Sequence, residues 1–289
     1  YIMTIGDYAA MRLCGAKKPL MHVTNAASLG LYDIKNKKFT VDYDCLPRVT
    51  DSLEIVGEYN GVPVTVALGD NQASFIGSVR DDRGALLNFG TGSQISVISD
   101  SPDAPDGVEA RPFTEGKYLL AGCALCGGRA FAIASKFVSM CAELATGEKP
   151  ENIYAAIDRA LESKETTSVT ADTRFCGTRS DPSLRGSYSG LDENNFTPED
   201  ILLSTVVGMS SELYEMYKKI GRECENIVCS GNGIRKNAAL RRVTSRMFGR
   251  TIKIPLCREE AAYGAALFAM AGGGIYPNLE SARKLISYG

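Results

Sequence analysis

Asn226-Ile227-Val228-Cys229-Ser230-Gly231-Asn232-Gly233-Ile234-Arg235-Lys236-Asn237 passes from an apolar run through a Gly-x-Gly turn into residues of helical spacing. Residues 226–229 read as a strand, 230–233 as a glycine loop and about 236–248 as a helix. The alternation continues with a strand over 251–254 and a helix over about 259–271. Strands alternating with helices predict an α/β fold. A strand that feeds a helix through glycines opens backbone N–H groups and a helix N-terminus to a nucleotide phosphate. The dinucleotide pattern GxGxxG is not completed, because Lys236 occupies the third glycine position. Taken alone, the loop reads equally as a plain connection.

A second glycine turn lies upstream. Residues 85–89 and 94–98 are β-rich runs joined by Gly90-Thr91-Gly92, which predicts a hairpin. Its glycines can turn N–H groups toward a phosphate, and the Thr91 hydroxyl adds a donor. The alternative is a turn that only needs positive φ angles. Gly127-Gly128 after Leu125 permits close backbone approach by a ligand or another element. Pro63 to Leu68 reads as a buried strand ending in Gly69-Asp70-Asn71-Gln72, with helical pattern resuming over 73–79. Asp70 there reads either as a helix N-cap or as a carboxylate at a cleft edge, able to take a proton from a hydroxyl. Asn71 and Gln72 would hold neighbouring hydroxyls.

Elsewhere, helices are predicted over 6–13 with Gly15 as the stop, and over 131–146, 150–161 and 198–220. A loop is expected over 175–186. Ala261, Ala262, Gly264, Ala265, Ala266 and Ala269 form a small-residue helix face suited to close packing.

Composition narrows the function classes. With 44% hydrophobic residues, 23% charged and a net charge of -2, the chain gives no reason to expect nucleic-acid or membrane partners. No apolar run approaches the ~20 residues that span a bilayer. Nine cysteines without a signal segment predict reduced thiols in a cytoplasm. Cys123 and Cys126 form a CxxC with no second ligand pair at zinc spacing, so they read as core residues and no metal ligand is assigned. His22 is the only histidine and has no nucleophile beside it, which disfavours a Ser-His-Asp hydrolase.

The order of these elements carries more than each alone. The segments 69–79, 88–94 and 125–128, the loop-helix 231–237 and Glu259 to Ala266 follow one another at characteristic distances. In this the chain resembles the FGGY carbohydrate kinases, of the actin-like/ribonuclease H-like fold shared with Hsp70 and actin ATPases, and is most similar to the sedoheptulokinases. The resemblance implies residues 1–80 as the end of a first, sugar-side domain and 81–289 as a second, nucleotide-side domain. It implies Asp70 as catalytic base, with Asn71 and Gln72 as substrate contacts. Gly90, Thr91 and Gly92 would form a phosphate hairpin, and Gly231, Asn232, Gly233 and Asn237 an adenosine motif, with Gly127 and Gly128 near the nucleotide.

ATP and Mg²⁺ are the implied cofactors, and the implied reaction turns a sugar and ATP into a sugar phosphate and ADP. Sedoheptulose is the foremost sugar; xylulose, ribulose, gluconate and glycerol are alternatives, as is a nucleotide-binding fragment without turnover. The family's first phosphate loop, Asp-x-Gly-Thr/Ser, has no counterpart ahead of Asp70, so the chain is expected to be a C-terminal portion of such a kinase. A homodimer is the candidate assembly.

Overall fold

The computed structural model describes residues 1–289. In chain order the elements begin with α1 (Ile5–Leu13), β1 (Leu20–His22), α2 (Val23–Ser28), β2 (Tyr32–Asp33), β3 (Lys38–Phe39) and β4 (Arg48–Thr50). They continue with β5 (Ile55–Tyr59), β6 (Val62–Thr65), α3 (Asp70–Ser78), β7 (Gly84–Phe89), β8 (Ser93–Ser99), β9 (Val108–Pro112) and β10 (Tyr118–Ala124). Next are α4 (Gly128–Thr146), α5 (Ile153–Glu162), β11 (Thr170–Asp172), β12 (Ser187–Ser189) and α6 (Pro198–Ile220). The chain closes with β13 (Asn226–Ser230), α7 (Asn232–Lys236), α8 (Ala238–Phe248), β14 (Ile252–Lys253), α9 (Glu260–Gly272) and α10 (Leu279–Arg283).

The main sheet has six strands in the order β14-β13-β7-β8-β10-β9; four two-stranded sheets, β1-β4, β2-β3, β5-β6 and β11-β12, complete the strand set. The chain divides into two compact units, one of Tyr1–Leu86, Ser96–Ala121 and Pro255–Gly289, the other of Leu87–Ile95 and Gly122–Ile254.

In the first unit, α1 starts in a capping box: Thr4 Oγ1 accepts from Asp7 N, and Asp7 Oδ2 accepts from Thr4 N. Gly15 follows its end with φ +64°, as the helix stop requires. Helix α3 packs along α9 through the small-residue face, over a core that includes Phe75, Ile76, Met21 and Phe268. In the second unit, α6 spans the predicted 198–220, with Thr197 as N-cap, Pro198 in the first turn and Gly221 in the left-handed conformation. It packs with α4, α5, α8 and β11.

Two expectations need correction, and one stretch went unread. The predicted buried strand 63–68 is β6, a partly exposed strand whose sole partner is β5. Val62 is 62% exposed, and Pro63, which has no N–H, fits an open two-stranded ribbon better than a central strand. The helix over 236–248 is present as α8, but the loop read ahead of it already turns into a short helix, α7, and the Asn237 side chain accepts from Leu240 N and starts α8 afresh. The stretch 108–124, read only as far as its preceding loop, contains the strands β9 and β10.

Candidate functional site

In the second unit three strand ends converge. β7 turns into β8 through Gly90-Thr91-Gly92, β10 leads into α4 through Gly127, and β13 leads into α7 through Gly231. Gly128 N donates to Gly90 O (2.8 Å) and Arg129 N to Thr91 O (3.1 Å), so the hairpin itself supplies acceptors for the uncapped start of α4. Asn88 Nδ2 donates to Ser230 Oγ at 2.9 Å, tying β7 to the end of β13.

The glycines here are demanded by packing as well as by turns. A Cβ on Gly92 would stand 2.8 Å from Ala124 O, one on Gly128 2.7 Å from Gly90 O, and one on Gly127 would overlap Ser93 Oγ. Gly231, at φ +91°, and Gly233 both lie against Phe89 O, where a Cβ would sit at 2.7 and 2.8 Å. Backbone atoms at such spacing leave a surface of peptide groups without side chains, which suits a phosphate chain. Thr91 is exposed at the turn and offers its hydroxyl. Asn232 is exposed on α7, whereas Asn237 is buried as the α8 cap. Arg241 Nη1 closes the end of α7 by donating to Ile234 O (3.0 Å) and Arg235 O (2.8 Å).

In the first unit, a cleft of about 770 Å³ is lined by residues that include Asp70, Asn71, Gln72, Thr24, Asn25 and Arg111. Asp70 is the first residue of α3 and is exposed. The cap of that helix is Gly69, not Asp70; the aspartate's Oδ1 accepts from Asn71 N at 2.7 Å and its other oxygen stays available. Asn71 Oδ1 is buried with no hydrogen-bond partner. Gln72 is buried and its Nε2 donates to Pro112 O at 2.8 Å, fixing α3 to β9.

The strand-free approach to Asp70 is held by side chains of α2. Asn25 Nδ2 donates to Ala67 O (3.1 Å) and to Asp7 Oδ1 (3.0 Å), and Gly69 N donates to Thr24 Oγ1 (2.9 Å). His22 Nδ1 accepts from Thr24 N and lies 3.0 Å from Thr24 Oγ1. His22 is fully buried against Phe268, and burial lowers its pKa to about 4 despite the nearby Asp51. The imidazole is thus a neutral acceptor that fixes the residue fixing Gly69.

Asp70, Asn71 and Gln72 therefore gather in one cleft, and Gly90–Gly92, Gly127, Gly128, Gly231 and Gly233 in one backbone cluster. Sequence reasoning missed Glu109 and Arg111, which line the cleft from β9 and pair at 2.8 Å. The alternation Val108-Glu109-Ala110-Arg111 was the available signal. No group of three or more His, Cys, Asp and Glu side chains is arranged to hold a metal ion, and no helix is long and apolar enough to cross a membrane.

This α/β arrangement is the actin-like ATPase fold. The xylulose kinase of Lactobacillus acidophilus matches it with a TM-score of 0.82 at 18% identity, over 99% of this chain and 61% of that one. The glycerol kinase of Plasmodium falciparum, solved with ADP, matches with a TM-score of 0.78 at 19% identity, over 98% and 60% of the two chains. Within that fold class, residues 85–272 match the FGGY family of carbohydrate kinases, C-terminal domain, and the chain belongs to that family. Sedoheptulokinase of Mus musculus is 25% identical over 296 residues, covering 91% of this chain and 61% of the relative. The chain spans about three-fifths of the length of the curated relatives it matches.

Proposed function

We propose that the chain serves ATP-dependent phosphorylation of a sugar hydroxyl, with Asp70 as the general base. The observation that carries this reading is the exposed Asp70 carboxylate at the start of α3, in a cleft whose lining includes the hydroxyl and amide side chains of Thr24, Ser28, Asn25, Asn71 and Gln72. In this role Asp70 accepts the hydroxyl proton as the sugar oxygen attacks the γ-phosphorus and ADP departs. Asn71 and Gln72 belong to the sugar side. The turn Gly90-Thr91-Gly92 and the Gly127-Gly128 connection are assigned to the phosphates, and Gly231, Asn232, Gly233 and Asn237 to the adenosine. Mg²⁺ would accompany ATP and neutralise charge on the transferred group; no residue of this chain is assigned to it.

Sedoheptulose is the foremost sugar, supported by the 25% identical relative. Xylulose, ribulose, gluconate and glycerol form the comparison panel. The division at residue 80 into sugar-side and nucleotide-side parts belongs to the same proposal, as do a cytoplasmic setting and a homodimer. All nine cysteines are free, which supports a reducing compartment.

The test is to incubate the protein with ATP, Mg²⁺ and each sugar, and to identify the sugar phosphate by mass spectrometry. Asp70→Asn is expected to reduce kcat by roughly 10²–10⁴-fold with ADP affinity retained. Full turnover by that variant would sink the base assignment. A second reading is a nucleotide-binding module without turnover, supported by the glycine-backed strand ends of the second unit. Calorimetric ADP binding in the absence of any sugar phosphate would select it.

A further inference from the structure

Helix α4 of the second unit inverts the usual arrangement of a surface helix. It packs against α5 and α6, and its buried positions are small: Ala130, Ala134, Ser135 and Ser139. Its outward face carries Ile133 at 39% exposure, Phe137 at 55%, Met140 at 56% and Leu144 at 89%. Steps of four, three and four residues put these side chains in one row, about 16 Å long at a rise of 1.5 Å per residue. A helix on a protein surface ordinarily turns charged and polar groups to water. A continuous apolar row in their place marks a surface that another molecule covers.

The row has the spacing of a coiled-coil seam, and its centre falls between Phe137 and Met140. A second copy of α4, laid antiparallel about a two-fold axis through that centre, sets Phe137 against Met140 and Ile133 against Leu144. These four side chains expose on the order of 400 Å² in each copy. Two copies would cover roughly 800 Å² before flanking residues are counted, close to the ~1,000 Å² of a specific interface.

Charge selects the orientation. Arg129, Lys136 and Glu143 are the charged residues of α4. Lys136 and Glu143 are exposed and stand one residue before Phe137 and Leu144, on the same flank of the row and two turns apart. Between antiparallel copies this flank meets itself reversed, so Lys136 of each copy faces Glu143 of the other, twice by symmetry. Between parallel copies it would meet the opposite flank, where Cys141 carries no such charge. A face that complements itself in both shape and charge fits a second copy of the same chain.

We propose that the row Ile133, Phe137, Met140 and Leu144 is the seam of a homodimer in which α4 crosses α4 of a second copy antiparallel. This gives the proposed homodimer its surface and does not rest on the kinase reading, because the readout is mass in solution.

Sedimentation velocity at micromolar concentrations should show the 289-residue chain as a dimer. Phe137→Glu should sediment as a monomer while keeping the circular dichroism spectrum and urea midpoint of the wild type, since the position is exposed. Lys136→Glu sets like charges against each other and should weaken the dimer about tenfold or more. Adding Glu143→Lys to Lys136→Glu reverses both charges and should restore dimerisation to near the wild-type constant. A monomeric wild type overturns the proposal and leaves the row to a different partner, and a dimeric Phe137→Glu overturns it as well. So does a double variant as weak as Lys136→Glu, because only the antiparallel crossing brings these two charges together.

Discussion

Gly77 of α3 and Gly264 of α9 meet backbone to backbone: a Cβ on Gly264 would stand 2.7 Å from Gly77 N and overlap Ala73 O, and one on Gly77 would overlap Glu260 O. No side chain separates the two helices at this crossing. Because α3 begins with Asp70, the crossing also fixes the helix that carries the proposed base.

Gly264→Ala should therefore force the helices apart. Overpacking of this kind costs about 1–3 kcal/mol, read as a lowered midpoint in urea unfolding. The exposed Ala265→Ser, one residue on, should stay within about 0.5 kcal/mol of the wild type. Equal midpoints for Gly264→Ala and the wild type would show that the crossing has slack.

At the strand ends of the second unit, Gly233→Ala adds a methyl group 2.8 Å from Phe89 O. The α7 start must move away from β7, and ADP affinity measured by calorimetry should fall at least about tenfold, roughly 1.4 kcal/mol. Unchanged affinity, with the circular dichroism spectrum also unchanged, would remove this loop from the nucleotide assignment.

His22 predicts an acid limb in stability. Its pKa falls from about 6.5 in the unfolded chain to about 4 in the fold, so the folded state favours the neutral ring. Stability is complete above pH 6.5 and declines as pH falls toward 4, by about 3 kcal/mol in total. Half-buried Glu212 opposes this, since burial raises its pKa and the fold is favoured as it protonates. Comparison of unfolding midpoints between pH 7 and 4.5 in wild type and His22→Gln isolates the histidine: the variant's slope should be shallower. Parallel curves would refute the assignment.

Arg283 is 3% exposed, and its charge is met by Asp82, with Nη1 2.7 Å from Oδ1, while Lys117 reaches the other carboxylate oxygen at 2.5 Å. Asp82→Asn leaves that guanidinium buried without a counter-charge, a loss of about 3–5 kcal/mol. The midpoint of denaturation measures it. A change below about 1 kcal/mol would mean that Asp82 contributes no more than a surface charge.

The sequence was most legible where glycine, proline and caps punctuate it. Thr197, Pro198 and Gly221 delimit α6 by local chemistry alone, and so do Gly15 and the apolar spacing of α1. The glycine turns were visible too, yet their shared reason was not: Gly92, Gly127 and Gly128 lack side chains because of carbonyls and a hydroxyl that arrive from other strand ends. Long-range partners of this kind leave no local trace. The same holds for the hydrogen bond from Gly69 N to Thr24, 45 positions away. β9 went unread because its alternation is only five residues long and borders a proline-rich loop.

The first unit is assembled from three separate stretches, the last of them Pro255–Gly289. A ribosome therefore delivers Asp70 and its cleft residues long before it delivers α9, the surface against which α3 must pack. Until then Phe75 has Phe113 against it, but the face of α3 at Ala73 and Gly77 lacks the helix that covers it. Nascent chains halted before residue 255 should be held by chaperones or degraded, so synthesis of the final stretch sets when the aspartate acquires a fixed position.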